Sequence, residues 1–192
     1  MILILEGTNG TGKSTCAKLL SPILGAPVYR PFRRGNSDLH WGSCSVQEKQ
    51  LREQFKVPLN THIEDLYVAD LISTVETNII LDRSIPSAIS YGLMEHDPLL
   101  PNDTVELFFY WQKMLLEQKA LYVWMTATYD TARKRSINRI PSWWPINREQ
   151  YDELESTFSI LYSLCELSKL CVNTENMGVD EVVETICQHW TI

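Results

Sequence analysis

The chain has 192 residues, of which 44% are hydrophobic and 21% charged, a composition that excludes a wholly disordered or collagen-like protein. Seventeen Lys and Arg against 24 Asp and Glu leave a net charge of −7, so general, charge-driven nucleic-acid binding is not its expected task. Five cysteines, odd in number and never spaced CxxC, point to neither a disulfide framework nor a zinc site but to free thiols in a reducing cytoplasm.

The length fits one domain over residues 1–192. No apolar run approaches the ~18 residues of a membrane span. Met1-Ile2-Leu3-Ile4-Leu5 lacks a preceding basic segment and stops at Glu6, so it reads as a buried strand and not as a signal peptide. Further apolar runs over residues 27–29, 78–81, 121–125 and 170–172 complete a set of five. Uninterrupted apolar strands suit a parallel sheet covered on both faces.

Helical patterns lie between them. One covers residues 14–20, and another places Ile63, Leu66, Tyr67 and Leu71 on a face. Leu154, Phe158, Leu161, Tyr162 and Cys165 share a third, and Val179, Val182, Val183, Ile186 and Trp190 a fourth, behind Gly178. Phe108-Phe109-Tyr110-Trp111-Gln112 fits a helix packed on the sheet, with Gln112 a candidate reader of a base edge. Residues 36–60 and 140–148 are less periodic and suggest excursions over one face. Strands alternating with helices predict an α/β fold with a five-stranded parallel sheet sandwiched by helices.

The first strand runs into Gly7-Thr8-Asn9-Gly10-Thr11-Gly12-Lys13-Ser14-Thr15, which satisfies G-x-x-x-x-G-K-[ST] at every fixed position. Glycines let the backbone wrap a phosphate chain with its N–H groups turned inward. Lys13 supplies a point charge for the terminal phosphates, Ser14 a hydroxyl for Mg²⁺, and the helix that follows an N-terminus that favours anions. ATP and Mg²⁺ are the expected cofactors.

Two basic or acidic clusters fall at other strand ends, where open α/β sheets bind ligands. Asp82 and Arg83 close the third strand: Asp82 is a candidate for Mg²⁺ or for a hydroxyl proton, Arg83 for a bidentate grip on a phosphate. Arg30, Arg33 and Arg34 close the second. A third cluster, Arg133, Arg135, Arg139 and Arg148, flanks Ile140-Pro141-Ser142-Trp143-Trp144-Pro145 and suggests a short lid near residues 136–150. The phosphate loop contains no arginine, so Arg135 and Arg139 are the expected source of mobile positive charge in phosphoryl transfer.

The phosphate-loop segment from Leu5 to Leu20 resembles the opening of thymidylate kinases. Asp82-Arg83 followed by Ser87 and Tyr91 resembles their acceptor-pocket segment, and residues 63–70, ending at Asp70, resemble the helix before it. Residues 132–139 resemble the arginine-bearing lid entry shared with deoxynucleoside kinases. The resemblance implies a P-loop kinase, Arg30, Arg33, Asp70, Arg83, Ser87 and Tyr91 around a small nucleotide, and a homodimer.

Three positions depart from that pattern: Asn9 stands for an Asp, Leu71 follows Asp70 in place of an Arg, and Arg30 stands for an acid after the second strand. In deoxynucleoside kinases that acid deprotonates the acceptor hydroxyl. A phosphate acceptor is already anionic near neutral pH and needs no base. The expected acceptor is therefore a deoxynucleoside monophosphate. The rivals are a deoxynucleoside or DNA hydroxyl, with Asp82 as base, and a nucleotide-binding regulatory module.

Overall fold

The computed structural model describes residues 1–29, 78–94, 104–116, 118–136 and 147–190. The expected helix at residues 63–71 and the excursions at 36–60 and 140–146 lie outside them, as do Arg30, Arg33, Asp70, Arg139, Trp143 and Trp144.

The elements in chain order are β1 (Ile2–Glu6), α1 (Lys13–Leu24), β2 (Val28–Tyr29), β3 (Ile79–Asp82), α2 (Ile85–Met94), α3 (Thr104–Leu116), β4 (Ala120–Thr126), α4 (Tyr129–Ser136), α5 (Arg148–Leu164), β5 (Ser168–Asn173) and α6 (Val179–Trp190). The five strands are all parallel, in the order β2-β3-β1-β4-β5. The sequence-predicted fold class and all five strands are found.

Alternation along β1 divides the core. Ile2 and Ile4 face a cluster with Ile85 and Ile89 of α2, Phe108, Trp111 and Leu115 of α3, and Leu161 of α5. Leu3 and Leu5 face Ala17 and Leu20 of α1 and Val182, Ile186 and Trp190 of α6. A period-2 strand apolar on both faces needs a helix layer on each side. β5 is an edge strand, and only Val172 is buried in it, which is why its apolar run is short. Val179, expected on the buried face of α6, is 39% exposed because it opens the helix beyond the sheet.

Among the described residues no helix is long and apolar enough to cross a membrane. α5 starts with an unforeseen capping box, Asn147 accepting from Gln150 N at 2.8 Å and Gln150 from Asn147 N at 3.1 Å.

Candidate active site

The parallel register brings the site together. Leu5 pairs with Asp82 and Glu6 with Trp124, so β1, β3 and β4 end side by side. The phosphate loop leaves β1 there and turns into α1. Gly7 has φ +131°, and a Cβ on it would lie 2.1 Å from Met125 O of β4. Gly10 has φ +85°, and its Cβ would lie 2.3 Å from Ala132 O of α4. No L side chain fits at either position, so these glycines are needed both for their backbone conformation and for their close packing.

Lys13 is buried, and its Nζ donates to Thr8 O at 2.5 Å and to Thr11 Oγ1 at 3.1 Å. Burial, aided by the Arg83 charge, pulls its pKa down to about 7 against the opposing pull of Asp82, Glu6 and Glu155. Ser14 Oγ donates to Asp82 Oδ2 at 2.6 Å. A hydroxyl on α1 and a carboxylate on β3, 68 residues apart, thus converge as a pair of hard oxygen donors. Such a pair suits Mg²⁺, which takes one or two protein oxygens and completes its shell with waters and phosphate oxygens. Among the described residues no group of three or more His, Cys, Asp or Glu forms a self-sufficient metal cage.

Arg83 does not present the open fork that the sequence suggests. Its Nη1 donates to Gly7 O at 3.3 Å and Ser87 Oγ at 3.0 Å, and its Nη2 to Asn9 Oδ1 and to Tyr91 OH at 3.3 Å. The guanidinium also lies over the Tyr91 ring, 4.9 Å from its centre. Four contacts leave little of a five-donor group for a bidentate grip on a phosphate. Arg83, Ser87, Tyr91 and Asn9, all expected at the site, are therefore brought together, but with Arg83 as the tie between the phosphate loop and α2. Burial disfavours its charge, but Tyr91, Glu6 and Asp82 more than offset that, and it remains a cation. The backbone of Arg83 sits at φ +82°, an uncommon conformation for a residue with a side chain.

Glu6 is the site residue that sequence reasoning missed. It is wholly buried at the end of β1, where Ser84 N donates to its Oε1 at 2.5 Å and Ser87 Oγ to its Oε2. Trp111 Nε1 donates to Ser84 Oγ at 2.9 Å and fixes the same turn from α3. Burial pushes the Glu6 pKa up to about 7, although Ser87, Arg83, Lys13 and Ser84 all favour its charged form. The signal was present: an acid closing an otherwise apolar strand.

One expectation is corrected. Gln112 Oε1 accepts from Glu166 N at 2.6 Å, just before β5 begins, at the amino ends of the strands. Five or six residues of strand separate it from the phosphate loop, roughly 17–20 Å, so Gln112 satisfies a backbone donor and does not face the nucleotide site. Arg135, on the last turn of α4, donates through both Nη atoms to Thr174, at 2.9 Å to Oγ1 and 2.8 Å to the carbonyl. It braces the ends of β4 and β5 here, on the helix whose Ala132 and Ser136 pack against Gly10 of the phosphate loop. Of the other lid-flanking arginines, Arg148 pairs with Asp130 at 2.8 Å, with both side chains exposed, and stacks 5.0 Å from the Tyr129 ring centre.

A group on α5 also enters the phosphate loop. Thr8 Oγ1 lies 2.9 Å from Tyr151 OH and 2.7 Å from Glu155 Oε1, and Tyr151 OH donates to Ala127 O at 3.0 Å. No sequence pattern signals this contact across more than 140 residues.

Solved structures match this fold over nearly the whole chain. The YorR protein of Bacillus subtilis, in complex with phosphorylated GDP, superposes with a TM-score of 0.67 at 21% identity, covering 98% of this chain and 94% of that one. The chain has a P-loop kinase fold. Deoxyadenosine kinase from M. mycoides, with the products dCMP and dCDP bound, gives 0.58 at 18% identity, covering 100% and 98%. Thymidylate kinase from Candida albicans gives 0.56 at 19% identity, covering 97% and 89%. The fold thus serves both an enzyme named for a nucleoside acceptor and one named for a nucleotide. No protein-family model matches the chain, and no curated protein matches it in sequence.

Proposed function

We propose that this chain is a kinase that transfers the γ-phosphoryl group of Mg-ATP to a deoxynucleoside monophosphate. The observation that carries the proposal is the Ser14–Asp82 pair beside Lys13. A bound Mg²⁺ would supply neutralisation of charge shared between the β- and γ-phosphates, with Ser14 and Asp82 as its protein oxygens. Lys13 would leave Thr8 O for the terminal phosphate oxygens, and the loop N–H groups would hold the chain of phosphates. Anionic phosphates raise the Lys13 pKa and thereby secure its charge.

The engagement of the acids supports the acceptor assignment. Asp82 is engaged with Ser14, on the ATP side. Glu6 has both oxygens occupied and is sealed from solvent. Neither is placed as a base for an incoming hydroxyl, whereas a monophosphate dianion requires none. Arg30 and Arg33 supply positive charge for that dianion, and Arg139 and the lid supply it for the moving group. Arg83 holds the loop and α2 in register between the two substrates.

The test is kcat/KM for paired deoxynucleosides and their 5′-monophosphates. Charge-assisted recognition predicts a preference for monophosphates of at least about 10²-fold. Phosphorylation of nucleosides or hydroxylated DNA, with no monophosphate accepted, overturns the acceptor assignment and returns Asp82 to the role of base.

A further inference from the structure

The contact between α5 and the phosphate loop poses a proton count. Three oxygen–oxygen contacts run in series: Glu155 Oε1 to Thr8 Oγ1 at 2.7 Å, Thr8 Oγ1 to Tyr151 OH at 2.9 Å, and Tyr151 OH to Ala127 O at 3.0 Å. Each needs one proton between its oxygens. The two hydroxyls bring two, and the Ala127 carbonyl brings none. Thr8 cannot donate to Tyr151 and to an ionised Glu155 at once while Tyr151 donates to Ala127. A protonated Glu155 completes the series, with Glu155 donating to Thr8, Thr8 to Tyr151, and Tyr151 to Ala127.

We propose that Glu155 is a positioning residue of the phosphate loop that holds a proton, docking the helix after the lid onto Thr8 as a neutral acid. This rests on the loop binding a nucleoside triphosphate, as proposed above. A neutral acid fits that use. Glu155 sits beside a loop built to receive several negative charges, and an ionised carboxylate there repels them. Nucleotide binding strengthens its hold on the proton, because adjacent anions disfavour ionisation.

The surroundings agree. Burial raises the Glu155 pKa, and Asp152, three residues earlier on the same helix, raises it further. Against these act two hydrogen bonds from Thr8, one from its side chain and one from its backbone, and the charge of Lys13. Lys13 is the one cation among the described groups facing it, and Lys13 moves to the phosphates when nucleotide binds. Tyr151, one turn earlier on the same helix, and Cys171, on β5, are further titratable groups that feel the Glu155 charge.

The experiment measures the affinity of the Mg²⁺ complex of a non-hydrolysable ATP analogue by calorimetry, between about pH 6 and pH 9. Glu155→Gln keeps the shape and the donor of the neutral acid. It should bind within about threefold of wild type at the acid end and at least about fivefold more tightly at the alkaline end. Lys13 titrates in both proteins; losing the Glu155 charge lowers its pKa in Glu155→Gln, which weakens alkaline binding and so cannot produce the predicted gain. Glu155→Ala should bind about tenfold more weakly than Glu155→Gln throughout, since Thr8 loses its donor. Tyr151→Phe removes two of the three contacts and one of the two hydroxyl protons, lets Thr8 donate to an ionised Glu155, and should shift the wild-type pH dependence to lower pH.

Three results overturn the proposal while leaving the nucleotide site intact: Glu155→Gln binding as weakly as Glu155→Ala, a pH-independent ratio of wild type to Glu155→Gln, or no shift on Tyr151→Phe. Failure of wild type itself to bind the analogue at any pH refutes the underlying nucleotide-binding assignment instead.

Discussion

Replacing Arg83 with Lys keeps the charge and the positive-φ backbone but removes the planar fork. Lys carries one nitrogen and cannot span Gly7 O and Asn9 on the phosphate loop together with Ser87 and Tyr91 on α2. Two or three of the four hydrogen bonds are lost, and Gly7 O and Asn9 Oδ1 are left partly unsatisfied in a crowded site. At about 1 kcal/mol net for each such bond, the cost is roughly 2–4 kcal/mol. In a chain of 192 residues that corresponds to a fall in Tm of roughly 5–15 °C. Thermal unfolding of the nucleotide-free protein, followed by circular dichroism, reads it directly. A Tm within about 1 °C of wild type would refute the reasoning. Arg83 would then be free of the protein in the absence of substrate and available as the phosphate fork that the sequence suggests.

Lys13 makes stability depend on pH. Its folded pKa, about 7, lies below the 10.5 of the unfolded chain, so the unfolded state binds more protons between those values. Stability of the nucleotide-free protein should therefore gain from this group as pH rises above 7, by up to about 1.4 kcal/mol per pH unit, and lose it as pH falls back through 7. Urea denaturation of wild type and Lys13→Met across that range checks this, and an equal slope in both proteins contradicts it. Gly10→Ala forces a Cβ to within 2.3 Å of Ala132 O at φ +85°. It should cost at least about 2 kcal/mol and weaken nucleotide binding about tenfold or more, because the loop must part from α4. Wild-type affinity and Tm in that variant would show that the loop does not pack there.

The parts legible in the sequence are those written locally. β1 and β4 are buried on both faces, so their apolar runs are unbroken, and the phosphate loop is contiguous in the chain. Ser14 and Asp82 were each legible as candidates, Ser14 from the phosphate-loop motif and Asp82 from its place at the end of an apolar strand. What the sequence hides is set by partners far along the chain. Glu6 owes its environment to Ser84 and Ser87, and Thr8 is held by Tyr151 and Glu155, through contacts that only the register of the sheet creates. Gln112 shows the opposite error: a polar residue among aromatics suggests a base reader, yet a lone backbone N–H on Glu166 suffices to retain it. For Arg83 the residue was legible and its direction was not. A guanidinium serves a substrate or its own loop equally well, and the choice depends on where Asn9 and Tyr91 lie.

The central claim is that Lys13 and its loop transfer a phosphoryl group. It is tested by incubating wild type and Lys13→Ala with γ-labelled Mg-ATP and each of the common deoxynucleoside monophosphates, then separating the products. Wild type should move the label onto at least one monophosphate. Lys13→Ala, folded by circular dichroism, should do so at least about 10²-fold more slowly. Label released only to water by wild type, or transferred equally well by Lys13→Ala, would contradict it.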